Sequence, residues 1–296
     1  MTAATVGPAA PSAGAAGLRR TVRRFLGNRL AVGALAVLGL ILLVAAAAPV
    51  IAPYAPSQID IANRLSGPTF AHWLGTDALG RDTLSRLMFA GRVSLGAASL
   101  AVAIAVVIGL PLGMVAGYLG GRLDWLLARA ADVLMTFPAL VLTVAIIAAV
   151  GPGLSTAMVS LGVVYSPRLF RIVRGATLGV RQETYVEASI SIGTPGWLIL
   201  RRHILPNILS PVLVQVSLLM AAALLTEVTI SLLGLGALPP TASWGSMLGA
   251  AFGDIRSTPM LVAYPGMAIA LVTLSFNLIG DGLRDSFGRE TRKGER

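Results

Sequence analysis

Six apolar stretches, each close to the length that crosses a bilayer, limit what this chain can fold into more than any other feature. They lie at about 30–51, 93–119, 133–151, 154–173, 208–236 and 260–280. A helix needs roughly 20 mainly apolar residues to span hydrocarbon, where every backbone polar group must be paired within the protein. Composition agrees: 12% of residues are charged and 55% hydrophobic, against about 25% charged in a soluble domain. The expected fold is an all-α membrane protein with six transmembrane helices. Only Gly151-Pro152-Gly153 separates the third and fourth stretches, as in a tight helical hairpin. Pro111, Pro138, Pro167, Pro211 and Pro265 lie in or beside the spans and predict kinks or local irregularity.

The placement of Lys and Arg orients these spans. With the N-terminus in the cytoplasm, the inner segments carry 18 basic residues and the outer segments five, so both termini are predicted inside. A net charge of +10 would point to nucleic acid in a soluble protein; here basic residues set topology, and no nucleic-acid partner is expected. Residues 1–17 are small, uncharged and broken by Pro and Gly. Arg19, Arg20, Arg23, Arg24 and Arg29 follow, so 1–29 reads as a disordered basic tail. Ala45 to Ala48 look like a signal cleavage site, but the apolar run exceeds the roughly 7–15 residues of a signal core. A retained anchor fits better. The chain has no Cys, and its two His, His72 and His203, are far apart, so no metal centre is expected.

One cytoplasmic segment departs from the apolar pattern. Residues 185–207 read YVEASISIGTPGWLILRRHILPN. A short helix is predicted over 182–192, with Val186 and Ile190 on one face. Gly193 then stands where a helix end needs a left-handed backbone. Thr194 and Pro195 read as the N-cap and first turn of a second helix. Trp197, Leu200 and Ile204 would share one face of it, with Arg201 and Arg202 elsewhere and Pro206 closing it before the fifth span. The expected product is a helix-turn-helix corner presented to the cytoplasm.

The order Glu187-Ala188-Ser189, then Gly193, then Leu205-Pro206 resembles the EAA signature of ABC importer permease subunits. Ser189 stands where Ala is commonest and His203 where Ile is, while the HILPN ending is similar to the dipeptide/oligopeptide/nickel branch. HWLGTDALGRDTLSRLMFAGRVSL (72–95), AGYLGGRLDWLLARAADVLMTFPAL (116–140), ISLLGLGALPPTASWGSML (230–248) and FNLIGDGLRDSFG (276–288) resemble C-type permeases of peptide importers. The resemblance covers about 20–289; at Gly288 and Arg289 the branch commonly has Asp-Pro. The chain then divides into the tail 1–29, a first transmembrane helix with outer segment at 30–92, a permease domain at 93–283 and a cytoplasmic tail at 284–296. The resemblance implies a coupling loop at 182–207, where Glu187, Ala188, Ser189, Gly193, Trp197, Arg201, Arg202, His203 and Pro206 engage an ATPase. It implies a cytoplasmic (inner) membrane setting and a di- or oligopeptide cargo. The implied partners are a homologous second permease subunit, two ATPase subunits or domains, an extracytoplasmic solute-binding protein and the lipid bilayer.

The chain shows no machinery of its own for ATP hydrolysis. A P-loop needs Lys followed by Ser or Thr, and the only Lys, Lys293, precedes Gly294 in a charged tail. ATP and magnesium are therefore expected in the partner ATPase subunits, with no cofactor on this chain and no catalytic constellation. Glu227 is the only acid well inside an expected span, which makes it a candidate for the substrate pathway, meeting the positive end of a peptide. The alternative is a structural acid bonded between helices, since it lies about 27 Å along the helix from Leu209, near the outer boundary. Asp77, Arg81, Asp82 and Arg86 form i, i+4 pairs and predict an amphipathic outer helix within 72–92. Trp73 and Trp244 read as interfacial anchors. An ion-coupled secondary transporter would show paired broken helices and several intramembrane ionisable groups. One buried acid and no evident repeat favour the ATP-driven importer.

Overall fold

The computed structural model describes residues 22–288. Most of the expected N-terminal tail, and the chain beyond 288, lie outside them. Helix α1 (Arg29–Ile51) starts at Asn28, whose side-chain oxygen accepts from the Leu30 and Ala31 N–H groups. Just before it, residues 22–26 are helical, and Phe25 packs against Gly282 near the opposite end of the chain. Helix α2 (Thr83–Leu119) is capped by Asp82 and ends at Gly120, φ 68°. Helices α3 (Gly121–Thr136) and α4 (Ala139–Val150) meet at 89°. Pro138 accounts for that bend: it forces the preceding Phe137 into extended backbone (φ −87°, ψ 138°), which a helix cannot continue.

Beyond the Gly151–Gly153 hairpin runs α5 (Leu154–Arg181), followed by a corner of two short helices, α6 (Thr184–Ser191) and α7 (Gly196–Ile199). A π turn (Leu200–Ile204) joins α7 to α8 (Leu205–Leu232). A short helix, α9 (Trp244–Phe252), and a long helix, α10 (Met260–Gly288), complete the described residues.

Among the described residues, four helical runs are long and apolar enough to cross a membrane: α1, α2, the continuous run Gly196–Leu232, and α10. The bent α3–α4 pair makes a fifth if it is one span. The fourth expected stretch is helical but does not meet that test, because α5 carries Arg168, Arg171, Arg174 and Arg181 in its second half. Protein rather than lipid surrounds much of it: Ala157, Met158, Leu161, Leu169 and Val173 are wholly buried.

Two expectations about the outer and middle segments need correction. The third stretch is not one rod over 133–151 but two helices, the first starting at Gly121. Residues 72–82 are not helical. Asp77 Oδ1 instead accepts from the N–H groups of Leu79 and Arg81, and Gly80 (φ +72°) closes a turn beneath the Thr76–Asp82 bridge. The Asp77–Arg81 ion pair forms at 2.7 Å, but across this turn. Asp82 faces the other way, capping α2 through Ser85 N–H and pairing with His72 Nδ1 at 2.9 Å. The transmembrane helix therefore starts at Thr83, ten residues before the apolar run.

The centre of the bundle is the α2–α5 pair, the most extensive helix contact. Gly109, Gly113 and Gly117 form a stripe on α2, one every fourth residue, against the α5 backbone. A Cβ at Gly113 would stand 2.7 Å from Val173 Cβ and 2.8 Å from the Phe170 carbonyl. From α5 the favour is returned by Gly162, where a Cβ would meet the Ala101 carbonyl at 2.7 Å. Small residues let two helices close in a medium where apolar burial against lipid gives no drive, and contact supplies the attraction instead.

Candidate functional site

The corner between α5 and α8 is built by one glycine. Gly193 has φ +78°, Gly193 N–H donates to the Ile190 carbonyl at 2.9 Å, and Thr194 N–H donates to the Ser189 carbonyl at 3.1 Å. That pair of bonds is a Schellman ending of α6. Thr194 thus completes the end of α6 and does not cap the next helix. That helix is entered at Pro195, whose carbonyl accepts from Leu198 and Ile199. Val186, Ile199 and Ile204 anchor the two arms in the core.

Trp197 is 64% exposed, so the expected apolar face of Trp197, Leu200 and Ile204 does not form; Ile199 takes the inward position. Pro206 does not close the second helix either. It has no N–H for the Arg202 carbonyl, and the chain widens instead, Leu205 N–H bonding five residues back to Leu200. Helix therefore continues unbroken from Gly196 to Leu232. Glu187, Ala188, Gly193, Trp197, Arg201, Arg202 and Pro206 are exposed together at this corner, with Ser189 and His203 half-buried.

Residues not singled out from the sequence tie the arms together. Asn207 Nδ2 donates to Tyr185 Oη at 3.1 Å and to the His203 carbonyl at 2.6 Å, and the Tyr185 and His203 rings lie 6.0 Å apart. Desolvation, with Glu183 adding to it, pushes the Tyr185 phenol up, so it remains a neutral hydroxyl for Asn207. Tyr118, at the end of α2, lies against Gly196 and beneath the Arg181 guanidinium, which is 5.9 Å from its ring centre.

Residues 109–293 match the family described as binding-protein-dependent transport system inner membrane component, and residues 18–68 match the N-terminal TM domain of oligopeptide transport permease C. The chain belongs to this permease family. It is 41% identical over 265 residues to the glutathione transport system permease protein GsiD of Pectobacterium atrosepticum, covering 89% of this chain and 88% of that one. It is 38% identical over 268 residues to the dipeptide transport system permease protein DppC of Alkalihalophilus pseudofirmus, covering 90% and 88%. The fold resembles a chain of the MetNI methionine ABC transporter in an inward-facing conformation. That match has TM-score 0.58 and 20% identity, over 69% of this chain and 97% of that one. The protein is accordingly a multi-pass inner-membrane permease subunit of an ABC importer.

Within the permease, Glu227 lies apart from the corner, near the C-terminal end of α8. It is fully buried, and its Oε1 accepts from Ser231 Oγ at 2.8 Å. Trp244 is no interfacial anchor: it is 2% exposed, and its indole N–H donates to the Leu87 carbonyl. Trp73 is 68% exposed. Two ion pairs fix α3 to α5, a bidentate Arg174–Asp124 pair and the more exposed Arg171–Asp132 pair.

Proposed function

We propose that this permease moves di- or oligopeptides inward, and that its 182–207 corner is the surface on which a cytoplasmic ATPase acts. The observation that carries the reading is the corner itself. One glycine-ended helix and one continuous transmembrane rod meet there, with Glu187, Trp197, Arg201 and Arg202 exposed at the junction. A surface loop without a partner has no need of a rigid turn that presents an aromatic and two guanidinium groups. The peptide cargo is supported by the names of relatives such as the dipeptide permease above.

On this reading the chain crosses the membrane six times, α5 and the bent α3–α4 pair included, with both termini in the cytoplasm. It pairs with a homologous second permease. Two ATPase subunits or domains supply ATP and magnesium, and a solute-binding protein delivers cargo outside. Closure of the ATPases displaces the corner, and the rods rock between outward and inward access.

Gly193→Val tests the corner. Nothing lies within 4 Å of a Cβ at this position, so the whole effect is backbone strain at φ +78°. A side chain in left-handed backbone costs about 1–2 kcal/mol, small for a packed bundle and large for an exposed turn. The variant should reach the membrane and pair with the second permease. ATPase pull-down and substrate-stimulated ATPase activity in the reconstituted complex should both fall several-fold. Wild-type values in both assays would remove the corner from the mechanism.

A further inference from the structure

Four buried polar side chains from three helices converge at the outer end of the bundle. Glu227, Ser94 and Ser243 are each 0% exposed, and Ser231 is 7% exposed. Ser231 bonds Glu227 Oε1, Ser243 Oγ stands 3.4 Å from Ser231 Oγ, and Ser94 and Ser243 flank the carboxyl. Glu227 Oε2 has no hydrogen bond, which leaves the cluster spare acceptor capacity. Ser243 also starts α9. Ser243 and Ser246 form its capping box, and Trp244 N–H donates to Ser94 Oγ at 3.0 Å. A Cβ at Gly245 would come within 2.7 Å of Ser231 Cβ, so α9 lies directly on α8.

We propose that Glu227 is a positioning residue that clamps the outer helix α9 to α2 and α8. Glu227 and Ser231 sit on the same unbroken helical run whose inner end carries Trp197, Arg201 and Arg202. A displacement of the corner therefore reaches the outer mouth as a movement of α9, and the clamp makes α9 follow. A pathway acid would present its carboxyl to a water-filled passage, whereas this one is fully buried and accepts from Ser231. The transmission step rests on the proposed role of the corner; the clamp itself does not.

The native chain lacks Cys, so engineered cysteines can be spin-labelled cleanly. Labels at Phe252 of α9 and Leu100 of α2, both exposed, report the α9 position in the reconstituted complex with and without ATP. In the wild type we expect one narrow distance distribution that ATP shifts. Glu227→Ala and Ser231→Ala should broaden the nucleotide-free distribution and lower peptide uptake about ten-fold, with ATPase activity within about two-fold of wild type. Glu227→Gln keeps an acceptor and should retain the narrow distribution and most uptake. An unchanged α9 distribution in both Ala variants would overturn the clamp, as would a raised KM for peptide with α9 undisturbed. If ATP fails to shift the wild-type distance, the coupling role of the corner fails. The nucleotide-free width still decides the clamp.

Discussion

Gly113→Ala should destabilise the permease more than its size suggests, and the reason is measurable in the α2–α5 contact. A methyl carbon at this position stands 2.7 Å from Val173 Cβ, 2.8 Å from the Phe170 carbonyl oxygen and 2.9 Å from Val173 Cγ1. Favourable carbon contacts begin near about 3.5 Å, so the helices must part by most of an ångström or shift in register. Either movement also opens the close approaches at Gly109 and Gly117, where a Cβ would meet the facing helix at 2.7 Å. Overpacking of this kind costs about 1–3 kcal/mol, or roughly 2 to 12 °C in melting temperature for a chain of this size. Gly96 on the same helix has nothing within 4 Å of a Cβ. There, Ala should leave melting unchanged or raise it, by up to about 1 kcal/mol of helix propensity. Val173→Ala removes Cγ1 but leaves the Phe170 carbonyl in place, so it should rescue Gly113→Ala by less than half. The assay is thermal unfolding of the purified permease in detergent. Equal melting of Gly113→Ala, Gly96→Ala and wild type would mean the stripe does not hold the two helices together.

Two further outcomes follow from topology and from the ion pairs. Reporters active only in the cytoplasm should work after Arg296 or near Arg181 and be silent within 53–92 or 237–259; an external reading near Arg181 would invert the proposed orientation. Asp124→Asn should cost about 1 kcal/mol, because it breaks a bidentate pair only 16% exposed on the acid side. By contrast, Asp132→Asn, whose pair is about half exposed, should cost under about 0.5 kcal/mol in the same melts. Equal effects would show that burial does not distinguish the two.

What could be read beforehand was whatever repeats or punctuates. The Gly151–Gly153 break and the left-handed Gly193 depend on local chemistry alone, and each appears where its residues stand, as do the apolar runs that became α1, α2, α8 and α10. The outer segment misled because an i, i+4 charge pair is compatible with more than a helix. Asp77 and Arg81 are joined by a turn, and the Gly80 between them was the contrary signal. Helix α5 is legible from its apolar first half. Its basic second half is tolerated because α3 supplies Asp124 and Asp132, a pairing that no local window contains. The stripe at Gly109, Gly113 and Gly117 was open to view, since glycine every fourth residue in an apolar helix marks a close helix contact. The Glu227 cluster was not, because its serines come from positions 94, 231 and 243.

The π turn explains why the second arm of the corner departs from α-helical spacing, and what its geometry achieves. An α-helix puts residues three and four apart on one face, which is how Trp197, Leu200 and Ile204 were grouped. Ile199 and Ile204 are five apart, yet both are fully buried, as is Ile208 four further on. Five-residue spacing on one face fits a turn whose hydrogen bond runs from Leu205 N–H to the Leu200 carbonyl. The extra residue offsets the phase of everything before it by about 100° relative to an uninterrupted α-helix. Pro206 supplies the cause, since its ring and missing N–H disfavour an α bond to the Arg202 carbonyl. The consequence is that Trp197 and Arg201 turn outward at the corner while Ile204 and Ile208 keep α8 in the core. One proline thus separates the face that packs from the face that is presented, without breaking the rod between them.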